Sequence, residues 1–66
     1  MTPKYDIGDI LLFKAHSDEY HMFIEDIGTN KVSGITYYMY KYLENDMEYA
    51  HPITSIDRNK NIMKVA

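Results

Sequence analysis

Cysteine is absent from this chain, which removes disulfide cross-links and thiolate metal sites from consideration. Tryptophan and glutamine are also missing, and there is one arginine, Arg58. A single guanidinium leaves almost no capacity for bidentate reading of guanine. Long hydrophobic runs are lacking too. The longest, Ile10-Leu11-Leu12-Phe13, is far too short to span a bilayer. Residues 1–10 carry Lys4, Asp6 and Asp9, a pattern that does not match a secretory leader. These features lead us to expect a cytoplasmic location without membrane association. Acids outnumber bases ten to seven, for a formal net charge of −3. That balance disfavours a surface that tracks phosphates.

What the chain does contain is apolar and aromatic. Hydrophobic residues make up 45% of its 66 positions, with seven tyrosines and five methionines. At this length the expectation is one domain covering residues 1–66, burying roughly 60% of the surface its unfolded form exposes. The tyrosines must therefore carry part of the core.

Glycines and prolines fall singly, at Pro3, Gly8, Gly28, Gly34 and Pro52. They divide the chain into short segments, the spacing of an all-β domain. The first segment is residues 7–14, in which Gly8-Asp9 turns the chain into a strand of Ile10-Leu11-Leu12-Phe13. Its four consecutive apolar residues call for cover on both faces, or partial burial of one. Residues 15–19 are expected as an exposed polar loop. A second strand over residues 20–27 sends Met22, Ile24 and Asp26 to one face, and His21, Phe23, Glu25 and Ile27 to the other. Gly28-Thr29-Asn30-Lys31 is a hairpin loop by composition.

The third strand is expected over residues 32–43, bent at Gly34. It places Tyr37 and Met39 on one face and Tyr38, Tyr40 and Tyr42 on the other. A fourth strand, residues 47–51, aligns Met47, Tyr49 and His51 and ends at Pro52, which cannot donate to a ladder. Ile53 and Ile56, three apart, fit one 3₁₀ turn facing the core. Residues 62–65 form the last short strand.

This order of elements resembles the SH3-like small barrels. The residues that carry the likeness are Ile7-Gly8-Asp9-Ile10, Ile24 to Gly28, Tyr37-Tyr38-Met39-Tyr40 and Pro52 to Asp57. The resemblance implies an all-β, five-stranded antiparallel barrel with a 3₁₀ turn before the last strand. It says little about activity, because such barrels host unrelated functions. The chain also resembles small phage accessory proteins. A weaker similarity to Tudor-type barrels implies an aromatic cage, which here would draw on Tyr20, Tyr38, Tyr40 and Asp46. The chain departs from that pattern in lacking Trp and an Asp-Tyr-Gly turn after the third strand.

The Tyr38, Tyr40, Tyr42 row can be read in two ways. As an open face it is a set of amphipathic anchors for a protein partner or a second copy of the chain, with Tyr20 alongside. As a closed face it is core. His16, Asp18, Glu19 and His21, with His51, are chemically able to ligate a cation, but their spacing matches no metal motif, and no metal or cofactor is expected. No nucleophile stands in a recognisable catalytic setting and no glycine-rich phosphate loop is present. The expectation is therefore a non-enzymatic interaction module. The alternative is a nucleic-acid-binding barrel, in which tyrosines stack on bases and Arg58, Lys60 and Lys64 meet phosphates.

Overall fold

In the computed structural model, which describes residues 2–66, alternation of inward and outward side chains builds one antiparallel sheet. Its strands are β1 (Ile10–Ala15), β2 (Asp18–Thr29), β3 (Thr36–Tyr42), β4 (Glu48–Pro52) and β5 (Ile62–Lys64), with one helical turn, α1 (Ile53–Asp57), before β5. The spatial order is β4-β3-β2-β1-β5. The first four strands form a meander, and β5 returns to pair with β1. The protein is thus all-β apart from one short helix. No ladder joins β4 to β5, so the sheet is open rather than closed.

One face of the sheet and α1 enclose the core: Tyr5, Leu11, Met22, Ile24, Tyr38, Tyr40, Ile53, Ile56 and Ile62. The apolar run in β1 is divided by the pleat. Leu11 is fully buried and Phe13 packs against the core, while Ile10 and Leu12 lie half-buried on the outer face.

Several boundaries differ from the sequence expectation, each for a local reason. β1 does start at Ile10, after the expected turn, in which Gly8 takes φ +93°, a conformation glycine adopts without Cβ strain. The polar loop expected over residues 15–19 is a tight His16-Ser17 turn. Ala15 pairs directly with Asp18, and His16 takes φ +56°. β3 begins at Thr36, four residues later than expected. Asn30 Oδ1 accepts hydrogen bonds from the Val32 and Ser33 amides at 2.9 and 3.1 Å, and the Asn30 carbonyl accepts one from Gly34 at 2.7 Å. This side-chain-to-backbone turn competes with the ladder and leaves Val32 wholly exposed.

Regular alternation also fails within β2. The register slips between Ile24, opposite Tyr40, and Asp26, opposite Met39. The extra residue, Glu25, is a β-bulge. It turns Ile27 to the core side, where it packs against the buried cluster, instead of sharing a face with Phe23. The expected 3₁₀ turn is an α-helical one, because the Arg58 amide reaches back four residues to the Thr54 carbonyl at 3.2 Å. Ile53 and Ile56 still share a face, and both are buried.

Candidate functional site

β3 supplies the inner aromatic row, and its neighbours decide what becomes of each ring. Tyr38 is completely buried. Its hydroxyl donates to Asp57 Oδ1 at 2.6 Å and accepts from the Tyr5 amide at 3.0 Å. Asp57 Oδ2 in turn accepts from the Lys4 amide at 3.1 Å. Tyr38 therefore ties the N-terminal segment and α1 to the middle of the sheet. Burial pushes its hydroxyl well above the ordinary tyrosine range, and the hydrogen bond to Asp57 adds to the shift.

Tyr40 is 3% exposed. Its ring lies 5.9 Å from His51, nearly parallel to it, and its hydroxyl is 2.9 Å from His51 Nδ1. Burial again raises this hydroxyl, with the neighbouring Tyr42 as the next cause. These positions correct the open-face expectation for both residues. Tyr38 has no accessible surface and Tyr40 retains only 3%, so neither stands out as an open anchor.

Tyr42 and Tyr20 remain half-buried at the other end of the row. Their centroids are 5.1 Å apart. Tyr49, from β4, completes this end, 5.3 Å from Tyr42 and 5.8 Å from Tyr40. Tyr49 is 40% exposed. The register explains its arrival, because β3 and β4 pair Tyr40 with Tyr49 and Tyr38 with His51. Centroid separations of about 5–6 Å fall within the favourable range for aromatic pairs.

Beside these rings a cleft of about 240 Å³ runs between the sheet and α1. Buried Met22, Tyr40, Ile56 and Ile62 form its base, and Tyr42 and His51 stand at its side. The lining is mainly apolar, with polar tips from a few side chains, as in sites that take small ligands or extended peptides.

The other candidates do not assemble. The Tudor-type cage fails because Tyr38 and Tyr40 are core residues, and Tyr20 packs on Tyr42 rather than across a cavity from them. Asp46 occupies the β3–β4 turn at φ +57°. His21 is held by Glu44, whose carboxylate accepts from His21 Nδ1 at 2.6 Å and from the His21 amide at 2.7 Å. These bonds hold the Glu44 carboxyl below its ordinary value, the ring bond contributing most. Among the described residues, no three acidic or histidine side chains come together where a cation would sit. The set His16, Asp18, Glu19, His21 and His51 is therefore not one site. Bases are scattered as well. Lys64 lies 3.4 Å from Asp9, Lys41 sits over Phe23, and Lys4 sits over Tyr5. No helix among the described residues is long and apolar enough to cross a membrane. Comparison with protein-family models, with curated proteins and with solved structures returns no match to this chain.

Proposed function

We propose that this protein is a small SH3-like interaction module, not an enzyme, that docks an extended segment of a protein partner along the aromatic cleft beside Tyr42. The fold part of this reading is supported by the meander of four strands, the return of β5 to β1 and the single helical turn between β4 and β5. The functional part is carried by one observation. Tyr42 and His51 retain solvent exposure at the side of a cleft of about 240 Å³ whose base is apolar, and Tyr20 and Tyr49 pack on Tyr42 beside it. Extended, proline-containing segments dock in aromatic-lined grooves at small entropic cost. The net charge of −3 favours encounter with a basic segment. A nucleic-acid surface would need converging cations, and here Lys4, Lys41 and Lys64 are engaged at separate places in the fold.

The test is an NMR titration of labelled protein with proline-containing peptides that bear lysine or arginine. Shifts should map to Tyr20, Tyr42, Tyr49 and His51. Tyr42→Ala should weaken binding at least about tenfold, the size expected of an aromatic anchor. Absence of shifts at these four residues at millimolar peptide would refute the reading.

A further inference from the structure

Buried Tyr40 reaches the docking cleft through His51. The two rings stack at 26° with centroids 5.9 Å apart, and the Tyr40 hydroxyl lies 2.9 Å from His51 Nδ1. The Tyr42 phenol is the other polar neighbour of that hydroxyl. Burial keeps the Tyr40 hydroxyl protonated, so it has one proton to donate. An imidazole nitrogen is a stronger acceptor than a phenol oxygen, which directs that proton to Nδ1. In a neutral imidazole one nitrogen donates and the other accepts, and the bond made by one sets the state of the other. With Nδ1 accepting, the ring proton sits on Nε2. That is the nitrogen left free on a residue that is exposed and lines the cleft.

Asn59, just after α1, is held in the same sense. Its Oδ1 accepts from the Asn61 amide at 2.8 Å. The side-chain amino group is therefore what remains to the cleft, which Asn59 also lines. Among the described residues, no carboxylate and no ammonium group lines this cleft, and Ser55 and Tyr42 add hydroxyls that act either way.

We propose, resting on the docking reading above, that Tyr40 is a positioning residue of the cleft. Its hydroxyl fixes the His51 proton on Nε2, and His51 and Asn59 together give the cleft a rim of donors that selects a segment offering acceptors. A tertiary amide accepts without donating, so proline or another N-substituted residue opposite these groups satisfies them. A secondary amide that turned its N–H toward them would set donor against donor.

Long-range proton–nitrogen correlation of the neutral histidine rings reads the tautomer directly. The wild-type chain should carry the His51 proton on Nε2. Tyr40→Phe removes the fixing donor and should release the ring to a mixture of tautomers, whereas Tyr42→Phe should leave it fixed. A wild-type proton on Nδ1, a tautomer unmoved by Tyr40→Phe, or one released by Tyr42→Phe would overturn the proposal. Circular dichroism checks folding. Should Tyr40→Phe not fold, the wild-type and Tyr42→Phe spectra decide. NMR titration with an uncharged proline-containing peptide then reads the rim. Asn59→Asp keeps an oxygen for the Asn61 amide and puts an acceptor where the amino group stood, so it should weaken binding by about three- to tenfold. Equal binding by Asn59→Asp and wild type would overturn the donor rim and leave the docking reading standing. If no peptide shifts Tyr42 or His51, the docking reading falls and the rim's role falls with it, while the nitrogen spectrum still decides whether Tyr40 fixes the tautomer.

Discussion

Tyr38 and Asp57 meet at 2.6 Å, hydroxyl to carboxylate, at the point where β3, α1 and the N-terminal segment converge. The Tyr38 hydroxyl is both donor and acceptor there, and the ring behind it is fully buried. Removing the oxygen strands an acceptor on Asp57 and a donor on the Tyr5 amide. Tyr38→Phe should therefore lower unfolding free energy by about 1–3 kcal/mol, read from urea denaturation. Tyr38→Phe and Asp57→Ala should be markedly non-additive in a double-mutant cycle, because they break the same bond. Simple addition of the two effects would show that the bond contributes little.

Alkaline stability follows from the two buried phenols. Tyr38 and Tyr40 are both held above the ordinary value of 10.0, burial being the first cause in each case. The folded chain thus keeps two protons that the unfolded chain releases near pH 10. Below pH 10 their contribution is fully present. Above it the unfolded state binds fewer protons, and stability falls by up to about 1.4 kcal/mol per pH unit per tyrosine. Phenolate absorbance should show two of the seven tyrosines ionising only when far-ultraviolet dichroism is lost. Seven phenols titrating together before unfolding would contradict the burial described above.

The sheet and much of the core were legible in the sequence, because alternation through Tyr37 to Tyr42 needs only the period of a strand. Ile53 and Ile56 were legible as a core-facing pair for the same local reason. What was hidden depends on partners distant in the chain. The bulge at Glu25 sits where the Gly8 amide bonds to the Ile24 carbonyl and the Ile24 amide bonds to the Asp9 carbonyl. That crossing lies outside any local window. Tyr49 joins the aromatic group only through the Tyr40–Tyr49 register. Tyrosine content alone did not separate buried Tyr38 and Tyr40 from accessible Tyr42 and Tyr20. The position of α1 over one end of the row makes that distinction.

Glu44 gives an acid-side counterpart. Its carboxyl is held below the ordinary 4.5 by bonds from the His21 ring and amide. A depressed folded value means the contribution is present above pH 4.5 and is lost as pH falls through the folded value. Carboxyl-carbon NMR should find Glu44 titrating below the ordinary 4.5, and His21→Ala should move it upward. An unchanged Glu44 midpoint in that variant would assign the depression to some other group.

Pro52 ends β4 and caps α1. It stands opposite Tyr37, at a position whose backbone groups face away from β3, so its lack of an amide costs the inner ladder nothing. Its φ of −54° also suits the ring. Pro52→Ala should leave the native fold in place and lower stability by about 0.4–1 kcal/mol, through greater freedom of the unfolded chain. Urea denaturation checks this, and an unchanged or higher midpoint would show that the proline ring contributes nothing through the unfolded chain.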